Sequence, residues 1–155
     1  MISTAWFIGD DDLTDARFIR KAVFVDEQGF SLSGEDDGTN SSSIHLVAYA
    51  ENGEPAATGR ILVYNGEFYI GRVAVLYEYR GKHFGSLIMR MLIRACYLMG
   101  GETQTVAAQK HAIGFYEKFG FTQTSVEFEK AGIKHVKMTH TGDIETPCNK
   151  NEKGL

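Results

Sequence analysis

The chain has 155 residues, 43% of them hydrophobic and 23% charged, which suits one soluble domain around a single core and excludes a disordered chain. Two prolines exclude a proline-rich spacer, and no apolar run approaches the roughly 20 residues a membrane-spanning helix needs. Net charge is −4 and uneven: residues 1–50 carry nine acids against three bases, residues 51–155 eleven against thirteen. That balance argues against nucleic-acid binding and suggests a cationic partner for the N-terminal part.

The N-terminus meets Asp10-Asp11-Asp12 with no basic region before it, unlike a signal peptide, so a cytoplasmic location is expected. One of these aspartates can cap a first helix from Leu13 to about Asp26, on which Leu13, Ala16, Ile19, Ala22 and Val23 recur at helical spacing. Gln28-Gly29 ends it, and residues 29–43, rich in Ser, Gly and Asp, read as a mobile surface loop. A meander follows: strands Ile44 to Ala50, Ala56 to Val63 and Glu67 to Leu76, joined by turns at Asn52-Gly53 and Asn65-Gly66. Near-continuous apolar character from Val73 marks the third strand as interior.

A helix from about Gly85 to Met99 carries a broad apolar face that includes Ile88, Leu92 and Cys96, and it stops at Gly100-Gly101. Thr103 to Ala107 is a short strand and Ala112 to Phe119 a short helix. Phe121 to Glu129 and Lys134 to His140 form a closing hairpin about Ala131-Gly132. Strand, helix and strand over residues 67–107 make a crossover unit, so those two strands are expected parallel in an otherwise mostly antiparallel, mixed α/β sheet. A single domain spans 1–141, with a flexible tail over 142–155. Cys96 and Cys148 offer no zinc-ligand spacing, and no metal is expected.

The chemistry gathers at Arg80-Gly81-Lys82-His83-Phe84-Gly85-Ser86, between an interior strand and a helix N-terminus. Free backbone amides and the helix dipole favour an anion there, Arg80 and Lys82 add charge, and a pyrophosphate suits the site. The spacing is neither that of a Walker A loop nor that of a dinucleotide fingerprint. The stretch from Arg72 to Gly85 resembles the acetyl-CoA-binding segment of the GNAT superfamily of N-acetyltransferases: a Val-rich strand, Arg/Gln-x-x-Gly-x-Gly/Ala, then a helix. Ala112-Ile113-Gly114-Phe115-Tyr116-Glu117-Lys118-Phe119-Gly120-Phe121 is similar to the family's second signature, Ala-x-x-Phe-Tyr-x-x-x-Gly-Phe. Ile19-Arg20-x-x-Val23-Phe24-Val25-x-Glu27-Gln28 resembles a subset of small bacterial members, part of which is also similar to the N-terminal part of acyl-homoserine-lactone synthases. One departure stands out: His83 occupies the position of the loop pattern's first glycine, which puts cofactor affinity in question.

The resemblance covers about residues 5–140 and implies a GNAT-like fold, acetyl-CoA as acyl donor, and an amine of a small molecule, peptide or protein as acceptor. It implies that Val73, Ala74 and Val75 pair with the pantetheine arm in a gap beside the strand Thr103 to Ala107. Arg80, Gly81, Lys82, His83, Phe84, Gly85 and Ser86 would then hold the pyrophosphate. A backbone N–H near Val75 would polarise the thioester carbonyl, and Tyr116 would protonate the departing thiolate. Glu67, Glu78, Glu27 and His111 are candidates for the base that deprotonates the amine, and Phe24, Gln28 and His45 for the wall of the acceptor cleft. The alternatives are a non-catalytic acyl-CoA-binding module and signal-lactone synthesis, which would need S-adenosylmethionine and a longer acceptor region. The hairpin's exposed edges leave a homodimer open, while nucleic acid and membrane are not expected partners.

Overall fold

A computed structural model describes residues 1–9 and 11–144; Asp10, Cys148 and the rest of the expected tail lie outside the described residues. Its centre is an eight-stranded sheet ordered β1 (Ser3–Ile8), β2 (Ser43–Tyr49), β3 (Pro55–Tyr64), β4 (Glu67–Val75), β5 (Thr103–Gln109), β8 (Ile133–Thr141), β6 (Thr122–Gln123), with β7 (Phe128–Lys130) also on β8. Every neighbouring pair is antiparallel except β4 and β5. The meander and the parallel crossover therefore stand as the sequence implies, whereas the expected first strand of the closing hairpin, Phe121 to Glu129, is broken into the short β6 and β7, both paired with β8. β1 does not appear in that reading, because at the sheet edge its side chains alternate only between exposed and half-buried.

Helix α3 (Phe84–Leu98) packs on one face of the sheet through Ile88, Met89, Leu92, Ile93 and Cys96, none of which reaches solvent. Each such large apolar side chain contributes about 1.5–3 kcal/mol. The helix ends where Gly100, in the left-handed region, lets Gly101 N–H return to the Cys96 carbonyl at 2.7 Å and Gly100 N–H to that of Tyr97 at 3.1 Å. On the opposite face lies α1 (Thr14–Arg20), which runs directly into π-helical turns over Lys21–Glu27. Ala16, Ile19 and Val23 pack there on Val47, Ala74 and Leu76. Asp12 accepts the Thr14 N–H at 2.9 Å and so caps the first turn. No helix among the described residues is long and apolar enough to cross a membrane.

Residues 29–43 correct the expectation of a surface loop. They contain α2 (Leu32–Glu35) and a 3-10 turn over Asn40–Ser42, and they bury both Glu35 and Asn40. The fully buried Arg20 ion-pairs with Glu35, and its Nη1 donates to Asn40 Oδ1 at 2.8 Å. Arg17 pairs with Asp36 at 2.7 Å. Acids that look solvated in sequence are thus neutralised by arginines 15 and 19 positions away. His45 lies beneath this segment, 1% exposed, with Nε2 donating to the Asn40 carbonyl at 3.0 Å and Nδ1 without a partner among the described residues. The start of the expected tail is also packed. Gly142 N–H bonds the Glu102 carbonyl at 2.7 Å, Asp143 pairs with Arg94 at 2.6 Å, and Ile144 touches the core.

β4 carries a bulge. On β3, Thr58 opposes Ala74 and Arg60 opposes Gly71, so Gly59 faces two residues, Arg72 and Val73. The bulge switches the side-chain parity: Ile70, Val73 and Val75 face α3, while Ala74 and Leu76 face α1. Arg72 takes the left-handed backbone at φ 51°. Opposite it, Gly59 leaves room for nothing larger than hydrogen, since a Cβ would lie 2.6 Å from Leu92 Cδ1 and 2.8 Å from Ile88 Cγ2.

Gly59→Ala should therefore destabilise the fold by about 1–3 kcal/mol in urea unfolding. Gly71→Ala, whose Cβ meets nothing within 4 Å, should stay within about 0.5 kcal/mol of the wild type. Equal stability of the two variants would contradict the packing described. A second expectation concerns pH. Burial first, and then the fields of Arg20, Arg60 and Arg17, hold His45 below the usual imidazole value, and burial does the same to His140. Below about pH 6.5 the unfolded chain binds protons that the folded chain excludes, so stability falls on acidification, by at most about 1.4 kcal/mol per pH unit for each group. In urea titrations at pH 7.5 and 5.5, His45→Gln should lose less stability between the two than the wild type; an unchanged loss would contradict the neutral buried imidazole.

Candidate active site

Only Phe68 with Gln104 and Tyr69 with Thr105 join β4 to β5 in register. Beyond them the bulge carries Ile70–Val75 away from β5 and opens a gap in the middle of the sheet. Leu76 N–H bonds the Ala56 carbonyl at 2.9 Å, so the alternation of the antiparallel ladder turns the N–H and C=O of Val75 to the gap side. The Val75 carbonyl is taken by Arg80 Nε at 3.0 Å. An interior strand thus presents an N–H edge that no neighbouring strand completes.

The loop after β4 leads to the N-terminus of α3. Gly81 (φ 75°) and His83 (φ 68°) both adopt the left-handed region and fold the loop so that successive amides gather at one place. Leu87 N–H is the first in α3 to close on a carbonyl, that of His83 at 3.1 Å. The amides of Phe84, Gly85 and Ser86 have no acceptor among the described residues, and the helix dipole adds to their pull on an anion. The His83 side chain is exposed, so the departure from glycine places strain in the backbone rather than bulk in the cradle. Phe84 is buried against α3's core and offers its amide alone, and Ala74 faces α1 rather than the gap.

A cavity of about 360 Å³ opens against the gap. Phe24, Gln28 and Phe30 line it from the end of the π-helical turns, and Arg60, Leu62, Tyr69, Arg72 and Val73 from the sheet. His111, Ala112 and Tyr116 of the segment around α4 (Ile113–Glu117) and Lys130 and His135 of the β7–β8 hairpin complete the wall. Gln109 Nε2 donates to Gln28 Oε1 at 2.8 Å and ties β5 to the helix end. Tyr116 is half-buried, with its ring 5.2 Å from Phe115 and 6.0 Å from Phe121. Its hydroxyl has no hydrogen-bond partner among the described residues, and burial pushes its pKa up to about 12, so it keeps its proton across the neutral range.

Of the candidate catalytic and acceptor residues singled out in sequence, Phe24, Gln28, His111 and Tyr116 meet at this cavity, as does Val73 of the expected donor strand; four do not, and of these Glu78 is exposed on the 3-10 turn Tyr77–Tyr79. His45 is buried under residues 29–43, because Asn40 and Arg20 cover it. Glu67 is exposed at the start of β4 and accepts from the Tyr69 hydroxyl. Glu27 turns to Arg80, which holds both its oxygens, at 2.9 and 2.8 Å. That bidentate pair engages Arg80 as well and fixes the helix end to the loop after β4. Sequence reasoning passed over Arg60, Arg72 and Lys130. The signal available was Thr58-x-Arg60-x-Leu62, which sets an arginine on an inward face of an interior strand.

The family model of the acetyltransferase (GNAT) domain matches residues 24–141. The uncharacterized N-acetyltransferase YjcF of Bacillus subtilis (strain 168) is 34% identical over 130 residues, covering 83% of this chain and 92% of that protein. Protein ElaA of Escherichia coli (strain K12) is 31% identical over 125 residues, covering 77% of this chain and 81% of ElaA. The crystal structure of Escherichia coli ElaA superposes with a TM-score of 0.80 at 27% identity, over 90% of this chain and 99% of that one. An acyl-CoA N-acyltransferase from Pseudomonas aeruginosa has the same fold, with a TM-score of 0.80 at 23% identity over 91% and 100% of the two chains. With about three quarters of its length inside the family model, the chain belongs to the GNAT acetyltransferase family.

Proposed function

We propose that the protein transfers the acetyl group of acetyl-CoA to a primary amine by direct attack within a ternary complex. The observation that carries this reading is the gap between β4 and β5, which ends at the open amides of Phe84, Gly85 and Ser86. A pantetheine arm completes the free edge of β4 as an added strand would, and the pyrophosphate lies on the α3 N-terminus with Lys82 beside it. The thioester then lies near Val73 and Val75, where the Val75 N–H stabilises the oxyanion formed on attack. The amine nitrogen bonds to the carbonyl carbon and the C–S bond breaks. The thiolate takes the Tyr116 proton, and the proton lost by the amine passes to His111, the candidate base that lines the cavity. A cofactor-holding module without catalysis would need neither a Tyr116 hydroxyl held protonated nor a second, acceptor-sized cavity.

Tyr116→Phe should lower kcat by about 10²-fold or more while leaving the Kd for acetyl-CoA unchanged. Thiol release from CoA under saturating donor measures the first, and calorimetric titration the second. An unchanged kcat would reduce Tyr116 to a packing residue.

A further inference from the structure

Beside the cavity three guanidinium groups meet two carboxylates. Arg20 holds Glu35; Arg72 lies 3.7 Å from Glu35 and 3.5 Å from Asp37. The third acid of the segment, Asp36, is taken by Arg17. Arg60 is the cation left over. It is 6% exposed, and among the described residues no carboxylate oxygen lies within 4.0 Å of it. Its one hydrogen bond there runs from Nη1 to Asn40 Oδ1 at 3.2 Å, and that oxygen already accepts from Arg20 at 2.8 Å. Burial first, then repulsion from Arg72 and Arg20, push Arg60 down to about 10, against a weaker pull from Asp37 and Glu35; it stays charged at neutral pH.

A buried cation without its own counter-ion is costly in a folded protein, and this one lines a cavity rather than a packed core. Arg72 lines the same cavity, as does Lys130, whose ammonium lies within electrostatic reach of Arg72, Asp37 and Arg60. Phe24, Phe30 and Leu62 supply an apolar wall beside them. The cavity therefore offers a cationic end, an apolar side, and a far end at Val73 and Tyr116.

We propose that the acceptor amine also carries a carboxylate, as a free amino acid does, and that Arg60, with Arg72 and Lys130, binds this carboxylate while the amine faces the gap. This inference rests on the acyltransfer reading above. A carboxylate supplies the missing counter-charge and accepts the planar guanidinium fork. The proposal replaces the cationic partner that bulk charge suggests, because Glu35, Asp36 and Asp37, the acids of the segment that walls the cavity, are engaged by Arg17, Arg20 and Arg72.

The test compares the common amino acids, each with its carboxamide and its decarboxylated amine, as acceptors in a thiol-release assay. Stabilisation of the protein by CoA in thermal unfolding is measured alongside. The free acids should exceed their carboxamides in kcat/KM by at least about tenfold. Arg60→Gln should bring that ratio to within about twofold while retaining the stabilisation by CoA. Carboxamides or decarboxylated amines that match or outdo the acids would overturn the proposal, as would an Arg60→Gln enzyme that keeps the wild-type ratio. So would stabilisation by CoA with no free acid either turned over or bound in calorimetry. Loss of the CoA effect in the wild type would instead remove the acyltransfer reading, and this inference with it. The wild-type ratio needs no variant, so it decides the matter even if Arg60→Gln does not fold.

Discussion

The bulge at Arg72 and Val73 is the constraint from which the site follows. One extra residue in β4 reverses side-chain parity, which sends Val73 and Val75 into the α3 core and Ala74 under α1. The same extra residue bends β4 off β5, so the edge at Val75 is left without a neighbour. A left-handed backbone at a non-glycine residue costs of order 1–3 kcal/mol. Arg72 offsets that cost through its own side chain, which donates to the Glu35 carbonyl at 3.2 and 3.0 Å and to that of Gly34 at 3.4 Å. Gly59 makes the arrangement possible from the other side, by letting Leu92 and Ile88 press against the strand where the bulge sits.

The bulge and the buried ion network are one system. Arg72 reaches α2; α2 contributes Glu35 to Arg20; Arg20 shares Asn40 with Arg60. A segment with few apolar residues is thereby held over the sheet by charge and hydrogen bonds, and it forms one wall of the cavity. Such a network gains little net stability over an apolar core, since desolvation offsets most of the attraction. What it adds is placement, because Asn40 of that segment accepts from both Arg20 and Arg60 and fixes the Arg60 guanidinium at the cavity wall.

The sequence made the frame legible because the frame depends on local patterns. Helical periodicity over residues 85–99, Asn-Gly turns and the glycine stop at Gly100-Gly101 each have a short-range cause, and the crossover rule then orders the two strands. The resemblance located the loop and Tyr116 for the same reason, since both are contiguous runs. What escaped depends on distant partners. Glu35, Asp36 and Asp37 look like a solvated turn until Arg17, Arg20 and Arg72 are brought to them. Arg60 looks like an ordinary strand arginine until the sheet shows it facing inward. The bulge itself left a trace: Ile70 and Val73 are apolar at odd separation in a strand, which a regular pleat cannot place on one face. The Arg20 of the Ile-Arg run and Glu27 also changed meaning, becoming a buried ion-pair member and a clamp on Arg80.

The central claim is that the gap between β4 and β5, closed below by the α3 N-terminus, is a seat for acyl-CoA. Thermal unfolding with acetyl-CoA, free CoA and ATP tests it most directly. A ligand at about a hundred times its Kd stabilises the fold by about 2.7 kcal/mol, which for a chain of this length raises Tm by about 5–10 °C. Both acetyl-CoA and CoA should produce that rise and ATP should not, because ATP has no pantetheine arm to complete the strand edge. No rise with either CoA compound at millimolar concentration, or an equal rise with ATP, would contradict the account.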